Sequence, residues 1–120
     1  MKHTKIILLI FASLLLLKFE LFAQDKLDKV PFPAGGIEEL AKNVKYPVEA
    51  KEAKIQGKVM VKVVVDEKGK VVETTILQSV SHGLDEAAIN AIKATKFTPG
   101  EKDGKKVKAE VVIPISFKLN

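Results

Sequence analysis

The sequence predicts a small α+β domain in which helices pack on one face of a three-stranded antiparallel sheet, with the C-terminal strand at an edge. Three observations lead to this prediction. Two segments that alternate apolar and polar residues flank a short loop ending in glycine, which is the pattern of a β-hairpin. A third alternating segment closes the chain. One long helical stripe of apolar residues lies between the hairpin and that last segment.

Length and composition narrow the class of protein further. The chain has 120 residues, which suits one domain, and it contains no cysteine. Disulfides, thiolate metal sites and cysteine nucleophiles are therefore excluded, and stability must come from an apolar core. The net charge of +5 comes from 20 basic residues, all of them lysine, against 15 acidic ones. Because these lysines are spread along the chain rather than interleaved with aromatic residues, we predict no nucleic-acid partner.

Residues 1–23 have the pattern of a secretory signal peptide. Two lysines precede the apolar run Ile6–Leu17, and Ala23 supplies a small residue at the expected cleavage point. A short uncleaved anchor is the alternative, although spanning a bilayer takes about 20 apolar residues and this run is shorter. We therefore predict an exported, periplasmic protein with a short linker at residues 24–31 and a folded domain at residues 32–120.

Two short helices are predicted before the hairpin. The first runs from Ile37 to Val44, because apolar residues recur at i, i+3, i+4 and i+7: Ile37, Leu40, Ala41 and Val44. Tyr46 and Pro47 end it. Pro47 then suits the first position of a second helix over Val48–Ala53, where its missing N–H is not needed.

The hairpin is predicted over residues 58–78. Lys58–Val65 alternates and is rich in β-branched residues, as expected of a strand with one buried face. Asp66–Gly69 forms the loop, and Lys70–Gln78 forms the return strand. On the return strand we expect one face to carry Val72, Thr74 and Ile76, and the other to carry Val71, Thr75 and Leu77.

Leu84–Thr95 has the strongest helical pattern in the chain. Its apolar stripe consists of Leu84, Ala87, Ala88, Ala91, Ile92 and Thr95. Ser79, Ser81, His82 and Asp85 lie around its start, but catalysis by such residues needs a specific three-dimensional arrangement that sequence proximity does not supply. Ser and His before a helix are more often cap or turn residues. We predict no enzyme activity, no catalytic residue, no metal site and no cofactor.

The last strand is predicted over Val107–Leu119, after an exposed turn at Glu101–Lys106. Its apolar face consists of Val107, Ala109, Val111, Ile113, Ile115, Phe117 and Leu119. Pro114 lies inside this strand and has no N–H for a ladder, so we place the strand at an edge with the proline nitrogen facing away from the hairpin. Residues at even spacing from Pro114 then point their backbone groups in the same direction. They are the candidate partner-binding residues: Lys108, Glu110, Val112, Pro114, Ser116 and Lys118. Lysines in this row would limit unspecific pairing.

A series of short motifs runs from Phe32 to Leu119. It comprises Tyr46-Pro47 with Ala50, Gly57-Lys58-Val59, the loop residues Asp66 and Gly69, Ser79, Leu84–Ala88, Lys96–Pro99, Gly104-Lys105 and Val112–Phe117. In order and spacing this series resembles the C-terminal domain of the TonB family. No single motif is specific, but the series covers nearly all of the chain that follows the export segment.

The resemblance implies a function in TonB-dependent transport. In that family the domain binds the Ton box, a short extended segment of an outer-membrane receptor, which adds as a strand beside the last strand. The implied partners are an outer-membrane receptor and, for a tethered protein, an inner-membrane proton-driven motor. Tyr46 and Pro47 are carried over as motif residues, and Tyr46 is either a recognition residue or a ring packed beside the sheet with its hydroxyl in water. An exposed edge also makes a strand-exchanged homodimer an expected form.

Two features differ from a full-length member of that family. The linker at residues 24–31 cannot span a periplasm at about 3.5 Å per residue. The apolar run contains Ser13 without a histidine partner. These features favour a stand-alone periplasmic module over a self-contained energy transducer. The alternative function is an adaptor or structural domain with the same fold and another protein or cell-wall partner.

Overall fold

The computed structural model describes residues 26–120, so the predicted signal peptide and the first residues of the predicted linker lie outside the described residues. The elements follow each other along the chain as β1 (Phe32–Pro33), α1 (Ile37–Asn43), α2 (Val48–Glu52), β2 (Gly57–Val65), β3 (Val71–Gln78), α3 (His82–Ala94), β4 (Phe97–Thr98), β5 (Gly100–Lys102), β6 (Lys105–Val107) and β7 (Ala109–Phe117). Among residues 26–120, no helix has both the length and the hydropathy needed to cross a membrane.

The main sheet has three antiparallel strands in the order β3–β2–β7. Strand β2 is central, and its four alternate valines are fully buried: Val59, Val61, Val63 and Val65. The predicted α+β class, the three-stranded sheet and the C-terminal edge strand are confirmed. The alternation that predicted β2 therefore marks the face on which the core is built.

Helix α3 covers the buried face of the sheet. Its residues Leu84, Ala88, Ala91 and Ile92 belong to the same buried cluster as the β2 valines and Phe117 of β7. The alanines let the helix approach the sheet closely, because they add little side-chain volume between the two layers. Ser81 caps this helix by accepting a hydrogen bond from the Leu84 N–H at 3.2 Å, so the helix begins at His82 rather than at Leu84.

Strand β3 contains two irregularities that change its faces. The register with β2 shifts between Met60 and Val61 and again between Val64 and Val65, which leaves Leu77 and Val72 as extra residues. Each bulge inserts one residue and reverses the alternation beyond it. The predicted grouping of Val72 with Thr74 and Ile76 is therefore wrong: Val71 packs against the core and Val72 is 48% exposed.

The segment predicted as an exposed turn at Glu101–Lys106 forms a small hairpin instead. Strands β5 and β6 pair from Gly100↔Val107 to Lys102↔Lys105, so Val107 belongs to this hairpin and β7 begins at Ala109.

Two residues of the predicted linker contact the same hairpin. The N–H groups of Asp28 and Lys29 both donate to the carbonyl oxygen of Glu101, at 2.8 and 3.2 Å.

Asp66 organises the loop between β2 and β3. Its Oδ1 atom accepts hydrogen bonds from the backbone N–H groups of Lys70 and Lys68, each at 2.9 Å. The Lys70 bond is the largest cause that lowers the pKa of Asp66 below its usual value of 3.8. The ionised carboxylate is therefore the form that fits the loop.

We expect Asp66→Asn to reduce the pH dependence of stability in acid. A carboxyl group with a lower pKa in the folded state stabilises that state above its unfolded pKa, and this contribution is lost as pH falls through the folded pKa. The free energy of unfolding, measured by urea denaturation from pH 7 down to pH 3, should fall less steeply below pH 4 in the variant. An unchanged slope in the variant would contradict this role for the Asp66 carboxylate.

Candidate functional site

Strand β7 leaves one edge of the main sheet unpaired. It pairs with β2 in a continuous antiparallel register from Gly57↔Phe117 to Val65↔Ala109, without a bulge. Within residues 26–120, no strand lies on its other side. Successive residues of a strand point their backbone groups to alternate sides, so every second residue of β7 offers its N–H and C=O to solvent.

Pro114 identifies the row that faces solvent. It lies opposite Met60 inside the uninterrupted register, and it has no N–H to donate to β2. Its backbone therefore points away from β2, and the same holds for the residues at even spacing from it. We call Glu110, Val112, Pro114 and Ser116 the outward row; all four side chains are exposed. Three of these residues offer an N–H to a partner strand.

The remaining predicted edge residues flank the strand rather than belong to it. Lys108 lies between β6 and β7, and Lys118 follows the last residue of β7. Glu110 lies opposite Val64 and reaches diagonally to Lys62 of β2, with Oε2 and Nζ 3.8 Å apart. Such an exposed pair contributes little to stability. A role of these six residues in partner binding stays a prediction.

The second edge of the sheet is a poorer template for a partner strand. Strand β3 carries both bulges, which interrupt its regular spacing of N–H and C=O groups. Bulges of this kind are one way in which proteins protect an edge from pairing with other chains. The regular edge of β7 is therefore the better candidate for binding an extended segment.

Tyr46 packs beneath the C-terminal end of β7. Its ring meets the ring of Phe117 edge to face, with centroids 5.4 Å apart and planes at 87°. Its hydroxyl donates to the carbonyl oxygen of Ile55, so the expectation of a hydroxyl in water is wrong. The geometry favours the packing role over direct recognition. Pro47 precedes α2 as its N-terminal cap, one position earlier than predicted.

A recess of about 410 Å³ lies between α1 and β7, and we call it the α1–β7 recess. It is lined by Ile37, Leu40, Ala41, Val44, Tyr46 and residues Pro114 to Lys118. Leu40 and Phe117 are buried within it, whereas Ile37 is 47% exposed although it lies on the apolar face of α1. Sequence reasoning found this helical face but missed the recess, which depends on where α1 lies relative to β7.

Helix α1 is held in place by a hydrogen-bond chain through the buried Thr95 hydroxyl. The Asn43 Nδ2 donates to Thr95 Oγ1 at 2.8 Å, and the Thr95 hydroxyl donates to the carbonyl oxygen of Ala91 at 2.7 Å. Thr95 is 5% exposed. Because buried polar groups are costly to leave unpaired, this chain fixes the end of α1 against α3 and thereby one wall of the recess.

The serine and histidine residues near the start of α3 are used locally. The Ser79 hydroxyl donates to Asp85, and Asp85 also accepts from the Val80 N–H at 3.0 Å. His82 is exposed and lies 3.5 Å from a carboxylate oxygen of Glu86. The Asp85 contacts hold the turn before the helix, as the sequence predicted for the serines of this group, whereas His82 forms an exposed pair within the helix. In the part of the chain that the structure describes, no three His, Cys, Asp or Glu residues are grouped to hold a metal ion.

The described residues therefore define a small α+β domain with one regular, unpaired strand edge beside an apolar recess. Domains of this class can accept an extended segment as an additional strand. The chain belongs to the family described as Gram-negative bacterial TonB protein C-terminal, whose model matches residues 42–119. The family resemblance stated from the sequence is thus confirmed.

Known relatives agree with this membership. The chain is 38% identical over 76 residues to Protein TonB of Vibrio cholerae serotype O1, covering 62% of this chain and 31% of that protein. It is 36% identical over 77 residues to Protein TonB of Xanthomonas campestris pv. campestris, covering 63% of this chain and 34% of that protein. The match thus spans about a third of the length of these relatives.

Solved structures show the same fold. Two solution structures of the Helicobacter pylori TonB C-terminal domain superpose with TM-scores of 0.55 and 0.53, each at 22% identity. The first covers 68% of this chain and 86% of that one, and the second covers 69% and 76%. At this identity the likeness concerns the fold alone.

Proposed function

We propose that this domain binds the Ton box of an outer-membrane receptor by adding it as a strand to β7, and so serves TonB-dependent transport. The regular, unpaired edge of β7 is the observation that carries the proposal, because it offers the N–H groups of Glu110, Val112 and Ser116 to a partner. Membership in the TonB C-terminal family supports the transport context.

Strand addition suits a domain that serves more than one receptor. Each backbone hydrogen bond contributes a net of about 0.5–1.5 kcal/mol, and none of them depends on the identity of the partner's side chains. Pro114 leaves one gap in the row of donors. The edge can therefore bind an extended segment through its remaining donors. A strand that needs a donor opposite Pro114 would bind less well.

The proposal includes a periplasmic location with export by residues 1–23, because a receptor segment that faces inward reaches only the periplasm. If the N-terminal segment is retained as an anchor, inner-membrane proton-driven motor proteins become a second class of partner. A homodimer would compete for the same edge, since two copies of β7 can pair with each other.

Backbone amide NMR of the exported protein, titrated with peptides from the N-terminal plug segments of receptors encoded in the same genome, tests the proposal. We expect the signals of Glu110, Val112 and Ser116 to shift first and to saturate. The amides of His82 and Glu86, which belong to α3 and do not line the α1–β7 recess, should stay unmoved. If several such peptides leave β7 unchanged at millimolar concentration, receptor binding is wrong, and an adaptor domain with another protein or cell-wall partner becomes the better function.

A further inference from the structure

We propose that a groove at the β3 edge of the sheet docks this domain on an anionic phospholipid surface. The groove, of about 650 Å³, lies between the start of β3 and the end of α3, and we call it the lysine groove. Its lining includes four lysines: Lys68, Lys70, Lys93 and Lys96. The proposal does not rest on strand addition at β7, because β3 and β7 are the two opposite edges of the main sheet.

The loop between β2 and β3 is fixed against the segment that follows α3. The Phe97 N–H donates to the Gly69 carbonyl oxygen at 3.3 Å, which joins the loop to the residue after Lys96. Gly69 has a φ of 85°, and a Cβ atom at this position would collide with the Phe97 carbonyl oxygen. Glycine is therefore required for this close approach. Lys68 and Lys70 are exposed on either side of Gly69 and so are held close to Lys96.

The groove carries more positive than negative charge. Glu73 is the one acidic residue in its lining, against four lysines, and all of these side chains are exposed. Within residues 26–120, none of the four lysines forms an ion pair. Asp66 and Glu67 belong to the loop and do not line the groove. Asp66 attracts Lys68 and Lys70, but its Oδ1 atom already accepts their backbone N–H groups. Because like charges held together repel each other, an anionic partner would stabilise the folded domain.

Val72 makes a lipid surface a better partner than a free anion. The bulge in β3 turns this side chain outward within the groove lining, where it is 48% exposed. A soluble phosphate would neutralise the lysines and leave Val72 in water. The headgroup layer of a membrane offers phosphates to the lysines and an apolar boundary to the valine.

The lysines and the irregular strand favour a fluid surface over a protein partner. A lysine binds phosphate as a point charge, without the fixed fork geometry of arginine, and the chain contains no arginine. The two bulges interrupt the backbone spacing that an added strand would need on β3. Mobile headgroups can adjust to both features, whereas an acidic segment of a folded protein would have to match them.

Docking through the lysine groove would hold the domain at a membrane reversibly. Each lysine near an anionic surface strengthens binding about fivefold, and the attraction falls as ionic strength rises. The lysines act from the β3 edge, so the outward row of β7 remains open to a receptor segment. Membrane contact and strand addition are therefore compatible in one molecule.

Cosedimentation of the exported protein with lipid vesicles measures the proposed contact. Vesicles of phosphatidylcholine alone are compared with vesicles that also contain phosphatidylglycerol, at low and at physiological salt. We expect binding to the anionic vesicles only, and weaker binding at the higher salt. Lys93→Gln combined with Lys96→Gln should lower the partition coefficient about twentyfold.

Lys51→Gln combined with Lys54→Gln is the matched control, because it removes the same charge elsewhere. These two lysines precede β2, whereas the loop of the lysine groove follows it, so the two pairs lie toward opposite ends of that strand. We expect the control to lower the partition coefficient by about twofold at most, since only long-range attraction is lost. Melting curves of both double variants should match the wild type. If the groove pair lowers the melting temperature, Lys68→Gln combined with Lys70→Gln takes its place.

Three results would overturn the proposal. Equal losses in the groove variant and the control would mean that any basic surface serves. Failure of the wild type to bind anionic vesicles at low salt would exclude membrane docking. In NMR titrations, inorganic phosphate or a polyglutamate peptide that binds the groove amides more tightly than accessible phosphatidylglycerol does would identify a free anion or an acidic protein as the ligand. No receptor peptide enters these measurements, so strand addition at β7 stands or fails independently.

Discussion

Replacing Val112 with proline is expected to weaken Ton-box binding by about thirtyfold or more while the domain stays folded. Val112 belongs to the outward row, so its N–H is not used by β2, and Pro114 shows that this strand tolerates proline at such a position. The substitution removes one donor and leaves a carbonyl of the bound segment unsatisfied, which together cost about 2–4 kcal/mol. That corresponds to a loss of affinity of about thirtyfold or more.

Calorimetric titration of a receptor peptide into the wild type and the variant measures this loss. Val112→Thr is the matched control, because it changes the side chain and keeps the N–H, and its affinity should stay near that of the wild type. Val111→Pro should instead unfold the domain, since the neighbouring row pairs with β2. Wild-type affinity in a folded Val112→Pro variant would show that the outward backbone does not bind the peptide.

Replacing Phe117 with alanine is expected to have the largest effect on stability, about 3–5 kcal/mol. Phe117 is 2% exposed, ends β7 on the core face and holds the ring of Tyr46. Removing it leaves a cavity at the junction of β7, α1 and the Tyr46 turn. Since small domains have a total stability of about 5–15 kcal/mol, the loss would be a large fraction of the whole.

Urea denaturation monitored by circular dichroism measures the loss of stability in Phe117→Ala. Ser116→Ala, the neighbouring exposed residue on the same strand, is the control and should change the free energy of unfolding by about 0.5 kcal/mol or less. A loss of under about 1 kcal/mol for Phe117→Ala would mean that the site collapses around the missing ring. The ring would then not be the floor that the α1–β7 recess requires.

The strand pairing and its edge could be predicted because they depend on local patterns. Alternating valines identify β2, a loop ending at Gly69 identifies the hairpin, and Pro114 alone identifies β7 as an edge. Each of these signals is a property of a few neighbouring residues. The physical reason is that the local backbone alone sets which face of a strand each side chain lies on. The missing N–H of a proline is likewise a property of that one residue.

Other features could not be predicted because they depend on contacts between distant residues. The bulges at Val72 and Leu77 leave no local signal, since inserted valine and leucine look like ordinary strand residues. The partner of the Tyr46 hydroxyl, the Ile55 carbonyl, is set by the turn after α2. The α1–β7 recess likewise depends on where α1 lies, and the Asn43 side chain ties α1 to Thr95, far away in the chain.

The central claim is that a partner strand adds along the outward row of β7. Residue-resolved hydrogen exchange of the backbone amides, with and without saturating receptor peptide, tests it most directly. In the free protein Ile113 and Ile115 should be protected by β2, while Glu110, Val112 and Ser116 exchange quickly. With peptide bound, we predict that these three outward amides become protected as well. If they still exchange at their free rates while protection appears elsewhere, the partner does not bind as a strand on β7.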